Sequence, residues 1–145
     1  MGGIRIIRYM VATTCQSHNL FIYTAPNMIG RRLIFHHGFA SMISAKVIGD
    51  DCHIYQQVTL GNGKGGTPVI GNRVTIYAGA KVIGGITIGD DVIIGANSVV
   101  NKNIPPHSVV VGIPGKVIKR RNSIEDSWID VELYATTLFH QSDRE

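Results

Sequence analysis

The chain has 145 residues, a formal net charge of +4 and a hydrophobic content of 44%, with only 7% aromatic residues. This length suits a single domain, and no apolar run approaches the roughly 20 residues that span a bilayer, so we expect no membrane insertion. Basic residues do not alternate with aromatic ones, which argues against nucleic-acid binding. The two cysteines show no metal-ligand spacing, so we predict a reducing, cytoplasmic location and no metal site.

We divide the chain into three segments: residues 1–19 form a short N-terminal segment, residues 20–119 carry a repeat, and residues 120–145 form a basic tail with a helix. The helix is predicted to begin at Ser123, because the stretch SIEDSW resembles a capping box. Trp128, Val131 and Leu138 then follow at helical spacing. We expect this helix to cover the exposed end of the repeat.

The central segment has a six-residue period. Six consecutive hexads open with Ile or Val, namely Ile70, Ile76, Val82, Ile88, Ile94 and Val100. Neither a helix nor a continuous strand resets its apolar pattern every six residues. Short strands joined by glycine- and Asn/Asp-containing corners do, and three hexads then make one triangular turn. The period therefore predicts an all-β fold, a parallel β-helix with a stacked Ile/Val core.

The period is interrupted twice. The phase slips around His36 and His37, and four extra residues enter the glycine-rich stretch from Gly61 to Gly66. Histidine titrates near neutrality and a slip can aim it at a cleft, so this pair is either a functional group or an ordinary corner. His53, at an outward position, is expected at the surface. Lys64 in the glycine-rich stretch is either a phosphate or acceptor contact or a solvated lysine.

The glycine-rich stretch also matches the pattern GxGxxG, which binds dinucleotides when a helix follows it. Here another hexad follows, so there is no helix N-terminus to hold a pyrophosphate. We reject the dinucleotide interpretation.

The motifs HHGFA, IGDDCHIYQQVTLGNGKGG, VTIYAGAKVIGGITIGDDVIIGANSVV and NIPPHSVVVGIPGKVIK resemble the hexapeptide-repeat acyltransferases. The resemblance covers about residues 29–119 and is to the branch that contains serine O-acetyltransferases and colanic-acid-type polysaccharide O-acetyltransferases. It implies a left-handed parallel β-helix, a homotrimer, and acetyl-CoA bound in a groove of the coil. It also implies that one histidine acts as general base on an acceptor hydroxyl, without a covalent acyl-enzyme.

The resemblance assigns candidate site residues. Counting forward from Ile29 assigns the base to His37, and counting backward from Leu60 assigns it to His36. We choose His37 as base and keep His36 as acceptor contact or substitute base, with Lys64 as a further acceptor contact. An oxyanion donor is expected near Gly79. The implied contacts to CoA are Ala78, Gly79, Ala96, Asn101, Lys102, Lys116 and Lys119.

Departures from the family pattern bear on the acceptor. Serine acetyltransferases resemble one another in having a long N-terminal region and aspartates near the base, whereas His36 precedes the base here and no carboxylate pair suits an ammonium group. We therefore expect an acetyl-CoA-dependent O-acetyltransferase that acts on a saccharide hydroxyl of the capsule or exopolysaccharide type. The alternatives are a serine O-acetyltransferase of cysteine biosynthesis and a non-catalytic β-helix that serves as a structural subunit.

Overall fold

The computed structural model describes residues 19–132, and these residues wind into a coil with three parallel walls. Wall A contains β1 (Leu20–Ile22), β3 (Ser41–Ile43), β6 (Thr59–Gly61), β9 (Lys81–Ile83) and β12 (Val99–Val100). Wall B contains β4 (Val47–Ile48), β7 (Val69–Ile70) and β10 (Thr87–Ile88). Wall C contains β2 (Ile34–Phe35), β5 (His53–Ile54), β8 (Thr75–Ile76), β11 (Ile93–Ile94) and β13 (Ser108–Val111), and is extended by β14 (Lys116–Arg120) and β15 (Ile129–Asp130). A short 3-10 helix, Pro26–Met28, lies between β1 and β2.

The strands of each wall come from successive turns of the coil and pair in parallel. For example, Thr75 is in register with Ile93, one regular turn further along the chain. The first apolar residue of each hexad points into the coil, and the fully buried side chains include Ile54, Leu60, Ile70, Ile76, Ile88 and Ile94. The parallel β-helix predicted from the period is confirmed.

Glycine is required where wall B turns into wall C, because successive coils approach each other closely there. A Cβ on Gly49 would lie 2.5 Å from the backbone oxygen of Gly71 in the next coil. Beside this glycine, side chains replace backbone partners: Asp50 accepts a hydrogen bond from the backbone N–H of Arg31, and Asn72 accepts one from the N–H of Asp50 at 2.9 Å. We call this corner column, residues 30–32, 49–51, 71–73 and 89–91, the BC edge.

The two predicted interruptions lie at the other two corner columns. The corner from wall C to wall A, which we call the CA edge, comprises residues 36–40, 55–57, 77–79 and 95–97, and its first corner is two residues longer than the next one. Ile43 is in register with Leu60, so it is the buried residue of β3 and Met42 faces outward. One of the two extra residues is recovered between Ile43 and Val47. The glycine-rich stretch lies at the corner from wall A to wall B, the AB edge. It folds back onto the next coil, where the N–H of Gly85 donates to the carbonyl of Lys64 at 3.0 Å.

The C-terminal part of the described chain departs from the prediction. The parallel strands end at Val111, before the predicted limit of residue 119, and β14 returns antiparallel to β13. No helix begins at Ser123. The Asp126 carboxylate instead accepts a hydrogen bond from the Ser123 N–H in a turn, and the following residues form β15. The pairing of β15 with β14 satisfies backbone groups that a helix would have used. Residues 133–145, including Leu138, lie outside the described residues.

Candidate active site

His36 and His37 occupy the first corner of the CA edge and have different positions there. The backbone N–H of His36 donates to Ile54 O at 2.8 Å, as that of Tyr55 does to Ile76 O in the next coil, so His36 and Tyr55 are equivalent positions. His37 and Gly38 are the two additional residues of this corner. His37 has a left-handed φ of 57° and is exposed. The insertion therefore carries the His37 side chain out of the regular wall.

His36 is held between two side chains of the next coil. Its Nε2 lies 3.0 Å from Nδ1 of His53, and its ring stacks on Tyr55 with a centroid separation of 4.3 Å. Tyr55 in turn packs against Tyr77 at 4.9 Å, which extends the column of rings along the CA edge. Burial, together with the neighbouring charges of His53 and His37, lowers the pKa of His36 below its ordinary value. This shift favours the neutral form of His36.

The expectation that His53 is a plain surface residue is wrong. His53 is half-buried, and its ring bonds His36 across the ladder between β2 and β5. The sequence contained a signal for the aromatic column. The second position of the wall C hexads is an aromatic ring in three successive coils, namely His36, Tyr55 and Tyr77. Residues at equivalent positions of successive coils stack in a β-helix, so contact between these rings could be predicted. The link from His53 to this column depends on side-chain directions that the repeat does not specify.

Several residues predicted to contact CoA lie along the same CA edge. Ala78 and Gly79 form the corner after β8, and Ala96 lies at the corner after β11. These corners stack directly, since the N–H of Asn97 donates to Ala78 O at 2.9 Å. Lys116 is in register with Val111 at the end of β13, so it lies near the continuation of this edge. The structure thus brings the two histidines and this group of small residues onto one edge.

Three other predicted site residues lie on a different edge. Asn101 and Lys102 follow β12 and are exposed at the AB edge, and Lys64 lies on that edge too, at the opposite end of wall A from His36. Lys119 extends from β14, and its Nζ lies 3.9 Å from a carboxylate oxygen of Asp130. This ion pair partly neutralises the charge of Lys119. These residues are not brought together with the histidine pair within one chain.

The Gly79 amide, near which an oxyanion donor was expected, is used within the fold. Its N–H donates to Gln56 O at 3.0 Å in the preceding coil. An N–H that is already bonded does not donate to a developing oxyanion without a rearrangement. Gly79 therefore has a conformational role at this corner, where its φ of 75° lies in the left-handed region.

Carboxylates are segregated from the CA edge. Within residues 19–132, acidic side chains occur only on the BC edge and in the C-terminal segment, as Asp50, Asp51, Asp90, Asp91, Glu125, Asp126, Asp130 and Glu132. None stands at a corner that carries His36, His37 or their stacked neighbours. The described part of the chain also contains no group of three or more His, Cys, Asp or Glu side chains that could hold a metal ion.

A second polar cluster joins the C-terminal strands to the coil. The Asp91 carboxylate accepts hydrogen bonds from Arg121 Nε at 2.8 Å and Arg121 Nη2 at 2.6 Å, and it lies 2.8 Å from His107 Nδ1. Burial alone raises the pKa of Asp91, but the bonds from Arg121 and His107 outweigh burial and hold this pKa below its ordinary value. The guanidinium of Arg121 also lies 4.2 Å from the ring centroid of Trp128. We interpret this cluster as structural.

Comparison with known proteins agrees with the fold and the repeat. Residues 67–102 match the family described as "Bacterial transferase hexapeptide (six repeats)". Over 98 residues the chain is 52% identical to a serine acetyltransferase of Staphylococcus xylosus, a match that covers 63% of this chain and 45% of that protein. The repeat region of the chain is thus similar to the hexapeptide-repeat acyltransferases. The predicted family resemblance is thereby confirmed.

Solved structures of this acyltransferase family superpose on the chain. Soybean serine acetyltransferase apoenzyme is 37% identical with a TM-score of 0.62, over 67% of this chain and 43% of that one. The serine acetyltransferase of Brucella abortus strain S19 in complex with coenzyme A is 33% identical with a TM-score of 0.59, over 70% of this chain and 43% of that one. The chain spans less than half the length of these relatives. No helix in the described residues is long and apolar enough to cross a membrane.

Proposed function

We propose that this hexapeptide-repeat chain is an acetyl-CoA-dependent O-acetyltransferase in which His37 is the general base. The observation that carries the proposal is the CA edge, where an exposed histidine on an inserted corner lies in line with the small residues of later coils. Three coil spacings of about 4.8 Å each separate the corner of His37 from that of Ala96, so about 14 Å of edge is available to an extended ligand. The complex of a relative with coenzyme A supports this ligand.

The reaction needs one proton acceptor close to the acceptor hydroxyl. His37 removes the hydroxyl proton while the oxygen attacks the thioester carbonyl carbon, and a tetrahedral intermediate forms. Collapse of that intermediate breaks the C–S bond, the acetyl group stays on the acceptor oxygen, and the proton passes from His37 to the departing thiolate. No covalent enzyme intermediate is required. In agreement, Cys52 is buried in the core.

The acceptor is a hydroxyl compound, and the names of the relatives favour serine over the saccharide that we expected from the sequence. We therefore put L-serine first. A saccharide hydroxyl is the second candidate, because no carboxylate of the described residues stands on the CA edge to pair with an ammonium group. The column of half-buried Tyr55 and exposed Tyr77 beside His36 also offers an aromatic surface of the kind that sugar rings contact.

The remaining ligand contacts and the assembly belong to the same proposal. Ala78, Gly79, Ala96 and Lys116 contact the CoA chain along the CA edge, and Lys119 adds positive charge for its phosphates. Asn101, Lys102 and Lys64 lie on the AB edge, so they reach a ligand on the CA edge only if a second copy of the chain supplies them. A homotrimer would provide such a copy. The cytoplasmic location stays a prediction.

The test is release of free CoA thiol from acetyl-CoA by the purified chain, with L-serine and with a panel of monosaccharides and oligosaccharides as acceptors. His37→Asn keeps a residue that tolerates a left-handed φ but removes the base. We expect it to lower turnover by about a hundredfold or more.

Arg73→Asn is the matched control, because Arg73 has a similar left-handed φ of 54° on the distant BC edge. It should leave turnover unchanged. A loss of turnover in His36→Asn but not in His37→Asn would show that His36 is the general base. An absence of thiol release with every acceptor, together with no binding of CoA in calorimetry, would contradict the proposed function and favour a structural subunit.

A further inference from the structure

His53 holds the imidazole of His36 through a hydrogen bond between the two rings. Two ring nitrogens that face each other at 3.0 Å form a hydrogen bond only if one carries a hydrogen and the other a lone pair. With Nε2 of His36 engaged in this way, Nδ1 is the ring nitrogen that can bond an external group. The pair therefore selects which nitrogen of His36 faces a ligand, and it couples the tautomer of His36 to that of His53.

The same neighbours fix the ring orientation of His36. Its plane is within 13° of that of Tyr55 and within 16° of that of His53, so rotation of the ring would lose the stacking and the hydrogen bond together. His53 is itself well anchored. It pairs with Ile34 on one side and Thr75 on the other, and its N–H donates to Val74 O at 2.9 Å. A residue in the middle of a wall thus positions a residue at the start of the inserted corner.

We propose that His53 is a positioning residue of the candidate active site, which holds His36 so that its free ring nitrogen hydrogen-bonds the acceptor hydroxyl beside His37. The inference rests on the proposed function. Its physical basis is preorganisation: a polar contact that is already oriented costs less conformational entropy when the acceptor binds. Loss of His53 should therefore weaken acceptor binding and leave acetyl-CoA binding unaffected.

The test compares His53→Phe with His53→Asn. Phenylalanine keeps the ring and its stacking but lacks a nitrogen, whereas the asparagine amide places a polar atom near the position of Nδ1. We expect His53→Phe to raise the KM for the acceptor by about tenfold, the effect of one lost hydrogen bond, with the KM for acetyl-CoA within about twofold of wild type. His53→Asn should stay within about threefold of wild type for both substrates. Thr75→Ala, in register with His53 on the next coil, is the control for changes of the wall and should match wild type.

A second measurement follows the ring itself. Long-range ¹H–¹⁵N correlation spectra of the histidine side chains should show His36 in a single tautomer in wild type and in a mixture of tautomers in His53→Phe. An unchanged acceptor KM in His53→Phe, an equal loss in His53→Phe and His53→Asn, or an unchanged His36 tautomer would overturn the inference while wild-type turnover upholds the proposed function. Wild type without turnover would overturn the proposed function, and this inference with it.

Discussion

At the scale of single residues, what matters most is whether a side chain lies inside or outside the coil. His37 lies outside because two residues are inserted before β3, and His36 lies in the ring column because it keeps the regular position. Cys52 is the opposite case. Its side chain is buried in the coil, and its Sγ donates a hydrogen bond to Gly71 O at 3.2 Å. Burial raises the pKa of Cys52 to about 11.

Cys52 is therefore expected to be unreactive in the folded protein. With a pKa of about 11, only about one thiol in a thousand is ionised at pH 8, and the thiolate is the reactive form. In a Cys15→Ser background, a disulfide reagent at pH 8 should label less than a tenth of the protein within an hour, and label it fully in guanidinium chloride. Rapid labelling of the native protein would contradict the buried position of Cys52. The Cys52→Ser variant serves as the blank.

At the scale of elements, one carboxylate adds a side-chain link between the coil and the segment that follows β14. Asp91 lies on the last regular corner of the BC edge with 9% of its side chain exposed, and Arg121 follows β14 with 15% exposed. Buried charges are strongly destabilising when one partner is removed, because the other stays desolvated and unpaired. The Asp91–Arg121 pair links the BC edge to the segment between β14 and β15. It fastens an antiparallel hairpin over the end of wall C.

Asp91→Asn should destabilise the protein substantially. The change removes the charge that Arg121 and His107 bond, and we expect a loss of about 3 kcal/mol in the free energy of unfolding, measured by urea denaturation. The matched control is Asp51→Asn on the same edge, whose partner Arg32 is exposed. Exposed ion pairs contribute little, so the control should lose much less than Asp91→Asn. Equal losses in the two variants would show that burial does not decide the effect.

At the scale of the whole molecule, the described surface carries apolar side chains at its N-terminal coils. Phe21 and Met42 are in register on wall A and are 50% and 45% exposed, and Phe39 is 50% exposed at the neighbouring CA edge. Clustered apolar surface is typical of an interface. This surface lies next to the candidate base, so an assembly formed through it would place a second chain near the site.

The proposed homotrimer gives a direct prediction. Light scattering at micromolar concentration should give three times the chain mass of 15.8 kDa. Met42→Glu places a charge in the apolar patch and should lower the average mass, because an unpaired charge is costly to bury at an interface. Ile124→Glu changes a residue of similar exposure, 43%, in the C-terminal segment and should leave the mass unchanged. A wild-type monomer under these conditions would contradict the trimer.

The site shows how far sequence reasoning reached. The phase slip and the stacking of Ala78 on Ala96 follow from counting, since equivalent positions of a six-residue repeat must stack. The counts from Ile29 and from Leu60 disagreed about the base because the spacing between these anchors differs by one residue from that of the family, and a linear count does not tell on which side of the histidine pair the difference lies. His53 was missed because its bond to His36 depends on side-chain directions across two strands.

The six-residue period by itself determined the parallel β-helix, its buried Ile and Val residues and the place of its interruptions, because one apolar side chain per wall must point inward in every coil. Only the tertiary structure decided what the interruptions and the ends do. Ring stacking at the CA edge, the folding back of the glycine-rich stretch, and the antiparallel strands that follow Val111 all depend on contacts between residues outside the local repeat. The secondary-structure propensity of a short segment carries no information about such contacts. The Asp91–Arg121 pair, 30 residues apart, is the clearest instance.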